Sequence, residues 1–192
     1  VWVVPALCAV AIFAIVFLIR FLATNSSLAK YVPNLSAGSS ILAIGLAFIL
    51  FWFVFVDFLD KGVDGASIHW LTIGDTSLLW GVVVDKLSVV MIGLVTFVAL
   101  LVQIYSLGYM RGHPRFGWYF AVHSLFAAAM LALVLADNLL FLYIAWEIVG
   151  LGSYLLIGFF YEKRSAAEAA KKAFVTTRIG DVALLIGIIL LF

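Results

Sequence analysis

Charge and cysteine are what this 192-residue chain has least of. Only 11% of its residues are charged, 67% are hydrophobic and the mean hydropathy is +1.26, whereas soluble domains carry about 25% charged residues. That scarcity excludes a soluble domain with a large core and leaves a multi-pass membrane protein. Cys8 is the single cysteine, which excludes an intrachain disulfide and a thiolate metal site. His69, His113 and His123 fall in different predicted segments, so they cannot share a metal. No phosphate loop, zinc-binding helix pair or nucleophilic triad occurs. The stretch GLGSYL at 150–155 lacks the third glycine of a dinucleotide fingerprint and lies inside an apolar run. The first apolar run has no basic segment before it and no small-residue cleavage site, so it reads as a membrane helix and not as a signal peptide.

Apolar runs long enough to cross a bilayer occupy 1–19, 37–56, 87–110, 116–136, 138–161 and 173–192. They predict an all-α polytopic membrane protein of six transmembrane helices. The segment 57–84 contains two strand-like runs around Gly74-Asp75, which predicts a short external β-hairpin. Two units follow, 1–110 with three helices and the hairpin, and 111–192 with three more helices. Basic residues set the topology. Arg20, Lys30, Arg111, Arg115, Lys163, Arg164, Lys171 and Lys172 crowd alternate loops, while the others hold Lys61 and Lys86 against six aspartates. The amino terminus is therefore expected outside, with loops one, three and five inside. The basic fifth loop could touch anionic lipid, and it gives no reason to expect a nucleic-acid partner. Asp85 and Asp137 precede apolar runs and are expected to cap helices.

Glu147 stands in the middle of the run 138–161, about 15 Å from Asp137 along a helix. An ionised group at that depth costs at least roughly 2.5 to 3.5 kcal/mol on insertion scales, so it points to proton or cation handling. Its helical face carries Tyr143, Gly150, Tyr154 and Tyr161, a small and polar face suited to the protein interior or an aqueous cavity. Gly150, Gly152 and Gly158 would let neighbouring backbones approach. A carboxylate that only joins helices by hydrogen bonds is the alternative. Arg178 and Asp181, three residues apart in the run 173–192, can pair on one helical face. They read either as a structural salt bridge or as an extension of a titratable chain that begins at Glu147. His123 reads as a relay or as a packed histidine satisfied beside Ser124.

Several runs together resemble a known family. DKLS at 85–88, IYSLGYM at 104–110, RF at 115–116, ADNLL at 136–140, WEIVGLGSYLLIG at 146–158 and KAFVTTRIGD at 172–181 occur in that order. They are similar to the largest antiporter-like subunit of respiratory complex I. The resemblance implies a pair of inverted repeats with broken helices, of which this chain would hold a part. It implies that Glu147 matches a glutamate that works with a lysine on helix seven, and that Arg178 and Asp181 match a charge pair associated with coupling along the membrane arm. The chain reaches Phe192 before that lysine. The implied function is proton translocation as a subunit of NADH:quinone oxidoreductase, an enzyme whose NADH, FMN, iron–sulfur clusters and quinone would sit in partner subunits. This chain would carry no redox centre and no metal. Its partners would be the lipid bilayer and the other membrane-arm subunits. A bacterial inner membrane is the implied location, with the mitochondrial inner membrane or thylakoid as alternatives. The large subunit of a multisubunit Na+/H+ antiporter or of a membrane-bound hydrogenase is the competing reading.

Overall fold

The computed structural model describes residues 32–73 and 76–191. The predicted span at 1–19, with Cys8, Arg20, Lys30 and the Gly74-Asp75 turn, lies outside them. Five helices among the described residues are long and apolar enough to cross a membrane.

Helix α1 (Val32–Lys61) is 30 residues long, about 45 Å at 1.5 Å per residue. It overruns the predicted span 37–56 at both ends. Pro33 is tolerated in its first turn, where an amide N–H has no helical partner. At the far end Lys61 pairs with Asp57 at 2.6 Å, and Gly62 takes φ +80° while its N–H bonds to Phe58 O at 2.8 Å. A left-handed residue closing a helix in this way favours glycine.

The chain then forms the expected hairpin, longer than its apolar runs alone indicated. Strands β1 (Asp64–Ile73) and β2 (Thr76–Val84) pair antiparallel from Asp64 opposite Val84 inward, with a register shift between His69 and Leu71. The hairpin is also fastened sideways. Val82 forms a bridge with Ala136 at the corner between the next helix pair. Val82 and Val84 are buried with Val54, Val89, Ile92, Leu131, Leu135 and Phe141 in one core cluster.

Helix α2 (Lys86–Tyr109) starts at Asp85, whose carboxylate accepts from Ser88 N at 2.7 Å. The bond to the Ser88 amide holds the Asp85 carboxyl below its ordinary pKa. Helix α3 (Phe116–Leu135) is the axis of the molecule, touching α1, α2, β2 and the helix that follows. Of its apolar window 56% is buried, against 17% for α1. Polar groups join it to its neighbours: Ser36 donates to Gly117 O at 3.2 Å, Ser40 bonds to Ser124, and Ser88 donates to Val134 O at 3.0 Å. Such pairs hold membrane helices together where no hydrophobic driving force exists between them.

Helix α4 (Leu139–Ile157) is followed by a 3-10 turn, Gly158–Phe160. The residue that caps it is Asn138, whose Oδ1 accepts from Phe141 N at 2.8 Å, and not Asp137. Asp137 is drawn aside by the hairpin. Its N–H reaches Gly81 O at 3.4 Å, and its carboxylate fills the place that a Cβ on Gly81 would take.

Helix α5 (Arg164–Leu191) begins nine residues before the predicted span. Arg164, Lys171 and Lys172 therefore stand on a helix and not in a loop. The stretch 165–172 holds four alanines with glutamate and lysines, all but Ser165 strong helix formers. Arg164 also pairs with Glu168 at 3.0 Å, one turn on. Hydropathy located the membrane part of this helix and was blind to its polar extension.

Candidate functional site

Glu147 lies eight residues into α4, about 12 Å along a helix of roughly 27 Å. Opposite it, α5 presents Arg178 and Asp181. The Arg178 guanidinium makes an ion pair with Glu147 Oε2, and the same Nη1 is 3.6 Å from Asp181 Oδ2. One cation thus serves two carboxylates on two helices. The exposure falls from 36% at the Arg178 side chain to 22% at Glu147 and 8% at Asp181, so Asp181 is the most enclosed member. Trp146 completes the cluster, its indole N–H donating to Asp181 Oδ1 at 3.0 Å. The guanidinium also stacks over Phe174 at 4.6 Å, and the Tyr154 ring lies 5.3 Å from that same ring.

The i, i+3 pairing of Arg178 with Asp181 is present, but it is the looser of the two contacts. The tighter one, to Glu147, crosses between helices 31 positions apart in the chain. Spacing within one helix could not reveal it. Thr176 and Thr177 donate to Lys172 O at 2.8 Å and Phe174 O at 2.9 Å. They satisfy backbone carbonyls of their own helix, as hydroxyls on helices commonly do.

The glycines of α4 divide. A Cβ on Gly152 would come within 3.2 Å of Phe126 on α3, and one on Gly158 within 3.3 Å of Ala170 on α5. Both are close approaches. Gly150, beside Glu147, has nothing within 4 Å of such a Cβ, so the described residues do not press on it.

His123 stands apart from the cluster. It is buried on α3 and bonds through Nδ1 to Gln103 Nε2 on α2 at 3.2 Å. Its expected companion, Ser124, bonds to Ser40 instead. Gln103 is fully buried and its Oε1 has no partner. Tyr119 and Ser106 continue this polar line between α2 and α3 with a 3.0 Å hydrogen bond. His69 belongs to β1, and His113 accepts from Arg115 N at 3.2 Å in the turn before α3.

Two family models match this chain. One is described as the chain 5 amino terminus of NADH-ubiquinone oxidoreductase (complex I) and matches residues 70–120. The other, described as the transmembrane region of NADH:quinone oxidoreductase/Mrp antiporter, matches residues 136–192. Together they take in more than half of the chain. The chain belongs to the antiporter-like subunits of this family. NADH-quinone oxidoreductase subunit L of Pseudomonas aeruginosa is 41% identical over 180 residues, 91% of this chain and 29% of that protein. F(420)H(2) dehydrogenase subunit L of Methanosarcina mazei is 46% identical over 164 residues, 84% of this chain and 24% of the relative. The chain spans less than a third of either relative. Among solved structures, the membrane-bound sulfane sulfur reductase, an archaeal respiratory membrane complex, has a chain that superposes with a TM-score of 0.77. The match covers 97% of this chain and 36% of that one, at 16% identity. That likeness is one of fold, the same arrangement of helices at low sequence identity.

Proposed function

We propose that this chain forms part of a proton-translocating membrane subunit of an NADH:quinone oxidoreductase, with Glu147 as the proton-transfer group. The observation that carries the reading is the Glu147–Arg178–Asp181 cluster at mid-membrane depth. Intramembrane ionisable groups are costly and mark ion pathways. In the reading proposed here Glu147 exchanges the proton, Arg178 stabilises whichever carboxylate is ionised, and Asp181, fixed by Trp146, relays or couples. His123 and its Gln103 partner would be a separate relay between α2 and α3. Of the segments 1–110 and 111–192, the second supplies both helices of the cluster, while the two share one core.

Electron transfer belongs to other subunits. Among the described residues no three His, Cys, Asp or Glu side chains come together as a metal site, and the donor set fits neither iron–sulfur ligation nor a dinucleotide fingerprint. NADH, FMN, iron–sulfur clusters and quinone are assigned to the partner subunits of a hetero-oligomer. The two relatives are named for two electron donors, NADH and F(420)H(2), as they would be if the membrane subunit were indifferent to the donor. The basic residues at the α2–α3 and α4–α5 corners support a reading in which that side faces inside, in a bacterial inner membrane.

Glu147→Gln in the complete subunit, assembled in its complex, tests the role. Ion turnover through this subunit is expected to fall roughly tenfold or more, as loss of a positioned acid–base group does, while NADH oxidation and assembly persist. Unchanged proton pumping by a fully assembled complex overturns it. The description shared with Mrp antiporters supports a second reading, Na+/H+ exchange. Sodium-dependent transport without NADH-driven electron flow would select that one.

A further inference from the structure

A cavity of about 630 Å³ opens where the start of α3, the end of α4 and the start of α5 meet; none of Glu147, Arg178 and Asp181 lines it, and Tyr154, whose ring packs on Phe174, is the lining residue that leads toward their cluster. This size falls within the roughly 300–1,000 Å³ of small-molecule sites. Its walls are of two kinds. Arg115 and Lys171 supply positive charge, and Trp118, Leu155 and Phe159 supply an apolar and aromatic lining.

The two cations stand at one level of the membrane. Arg115 immediately precedes α3, whose apolar window begins at Phe116, and Lys171 lies two residues before the apolar part of α5 begins at Ala173. Both therefore belong at the boundary between hydrocarbon and headgroups. Arg111, Lys163, Arg164 and Lys172 add to the charge at the same end, against Glu162 and Glu168.

Arg115 is held and yet has capacity to spare. Its guanidinium lies 4.4 Å from the centre of the Tyr161 ring and 5.1 Å from that of Phe159, and its side chain is only 16% exposed. Nη2 is 3.0 Å from Glu162 Oε2 but makes no hydrogen bond. The contact is an ion pair of poor hydrogen-bond alignment to a carboxylate that is 66% exposed. A buried guanidinium nitrogen whose one carboxylate partner is exposed and poorly aligned favours a further oxygen-rich anion, and phosphate suits its planar fork. Charge at the boundary, a loosely engaged guanidinium and an apolar wall leading inward describe one occupant.

We propose that this cavity binds an anionic phospholipid, its phosphate held by Arg115 and Lys171 and its acyl chains lying along Trp118, Leu155 and Phe159. Basic pockets between membrane helices bind such headgroups. The lipid would bridge α3, α4 and α5 at the end remote from the hairpin. The inference needs only that these helices span a membrane, so it stands or falls apart from the transport role.

The assembled complex, reconstituted with phosphatidylglycerol carrying a photoreactive acyl chain, gives the test. Labelling should fall on the peptides containing Trp118 and Leu155–Phe159, several-fold above that from phosphatidylcholine with the same chain. Lys171→Gln should lower it about fivefold, the effect of one basic residue at a membrane surface, while Lys171→Arg should keep it. Glu162→Gln, which frees Arg115, should raise it. Lys171 is exposed, so these variants leave the packing intact, and NADH-linked pumping gives an independent reading of each. Equal labelling by the two lipids overturns the site, as does indifference to Lys171→Gln. Absence of label means that another helix of the subunit fills the cavity, and displacement by inorganic phosphate alone means a free anion and not a lipid; either result overturns the proposal.

Discussion

Removing Arg178 leaves Glu147 and Asp181 facing each other inside the bilayer without their shared cation. Deleting one partner of a fully buried pair costs about 3–5 kcal/mol, and the cost here is smaller because the Arg178 side chain is 36% exposed. Arg178→Gln is expected to lower the yield of assembled complex as well as transport, measured by native electrophoresis of membranes beside pumping in inverted vesicles. Trp146→Phe keeps an aromatic ring and deletes only the donor to Asp181. We expect normal assembly with a loss of ion turnover of roughly tenfold or more, since a hydrogen bond to a charged group is worth about 1.5–3 kcal/mol; pumping equal to that of the parent protein would reduce Trp146 to packing. Asp85 makes a prediction about acid. Its folded pKa is depressed, so its contribution is complete above the ordinary carboxylate value of about 3.9 and is lost as pH falls through the lower folded value. Asp85→Asn keeps a capping oxygen and should flatten this part of the acid dependence of thermal melting, while Asp85→Ala should cost about 1 kcal/mol at neutral pH. The charged members of the cluster are legible one by one, because each interrupts an apolar run. Their pairing is not, since it depends on how α4 and α5 rotate against each other. Trp146 stood out only as the first residue of the run 146–158, and its bond to Asp181 gave no signal, as a tryptophan donating a hydrogen bond and one facing lipid look alike in a sequence.

At the scale of elements, long apolar runs located every described membrane helix, and the run 57–84 disclosed the hairpin. The ends were harder. The start of α5 is polar and helical at once, so a hydropathy window passes over it, and Asp137 ahead of α4 gave up the cap because the hairpin claims it across a distance in sequence. Close helix approach was legible in kind but not by position. Gly152 meets Phe126 whereas Gly150 meets nothing among the described residues. Gly152→Ala should therefore lower stability by about 1–3 kcal/mol through overpacking of α3 against α4. Gly150→Ala should be neutral or slightly stabilising, since alanine is the better helix former. Thermal melting of the two variants side by side checks the contrast, and equal losses would contradict the packing described.

The whole molecule is organised around α3, with α1 and α5 turning large apolar side chains outward: Leu42 is 70% exposed, Ile179 72% and Leu190 81%, while Phe120 and Val122 on α3 are fully covered. No sequence pattern singled out α3, because a helix apolar on all sides reads the same at the axis and at the rim. A carbene reagent dissolved in the bilayer should leave Phe120 and Val122 unmodified in the assembled complex, and labelling there would refute the central position of α3. The sharing of Arg178 has a consequence in whole numbers. With both carboxylates ionised, the two carboxylates and one guanidinium sum to −1 whichever partner the guanidinium leans toward. One proton on either carboxylate brings that sum to zero, so in the proposed role a single monovalent positive equivalent is enough to neutralise the cluster in the hydrocarbon slab.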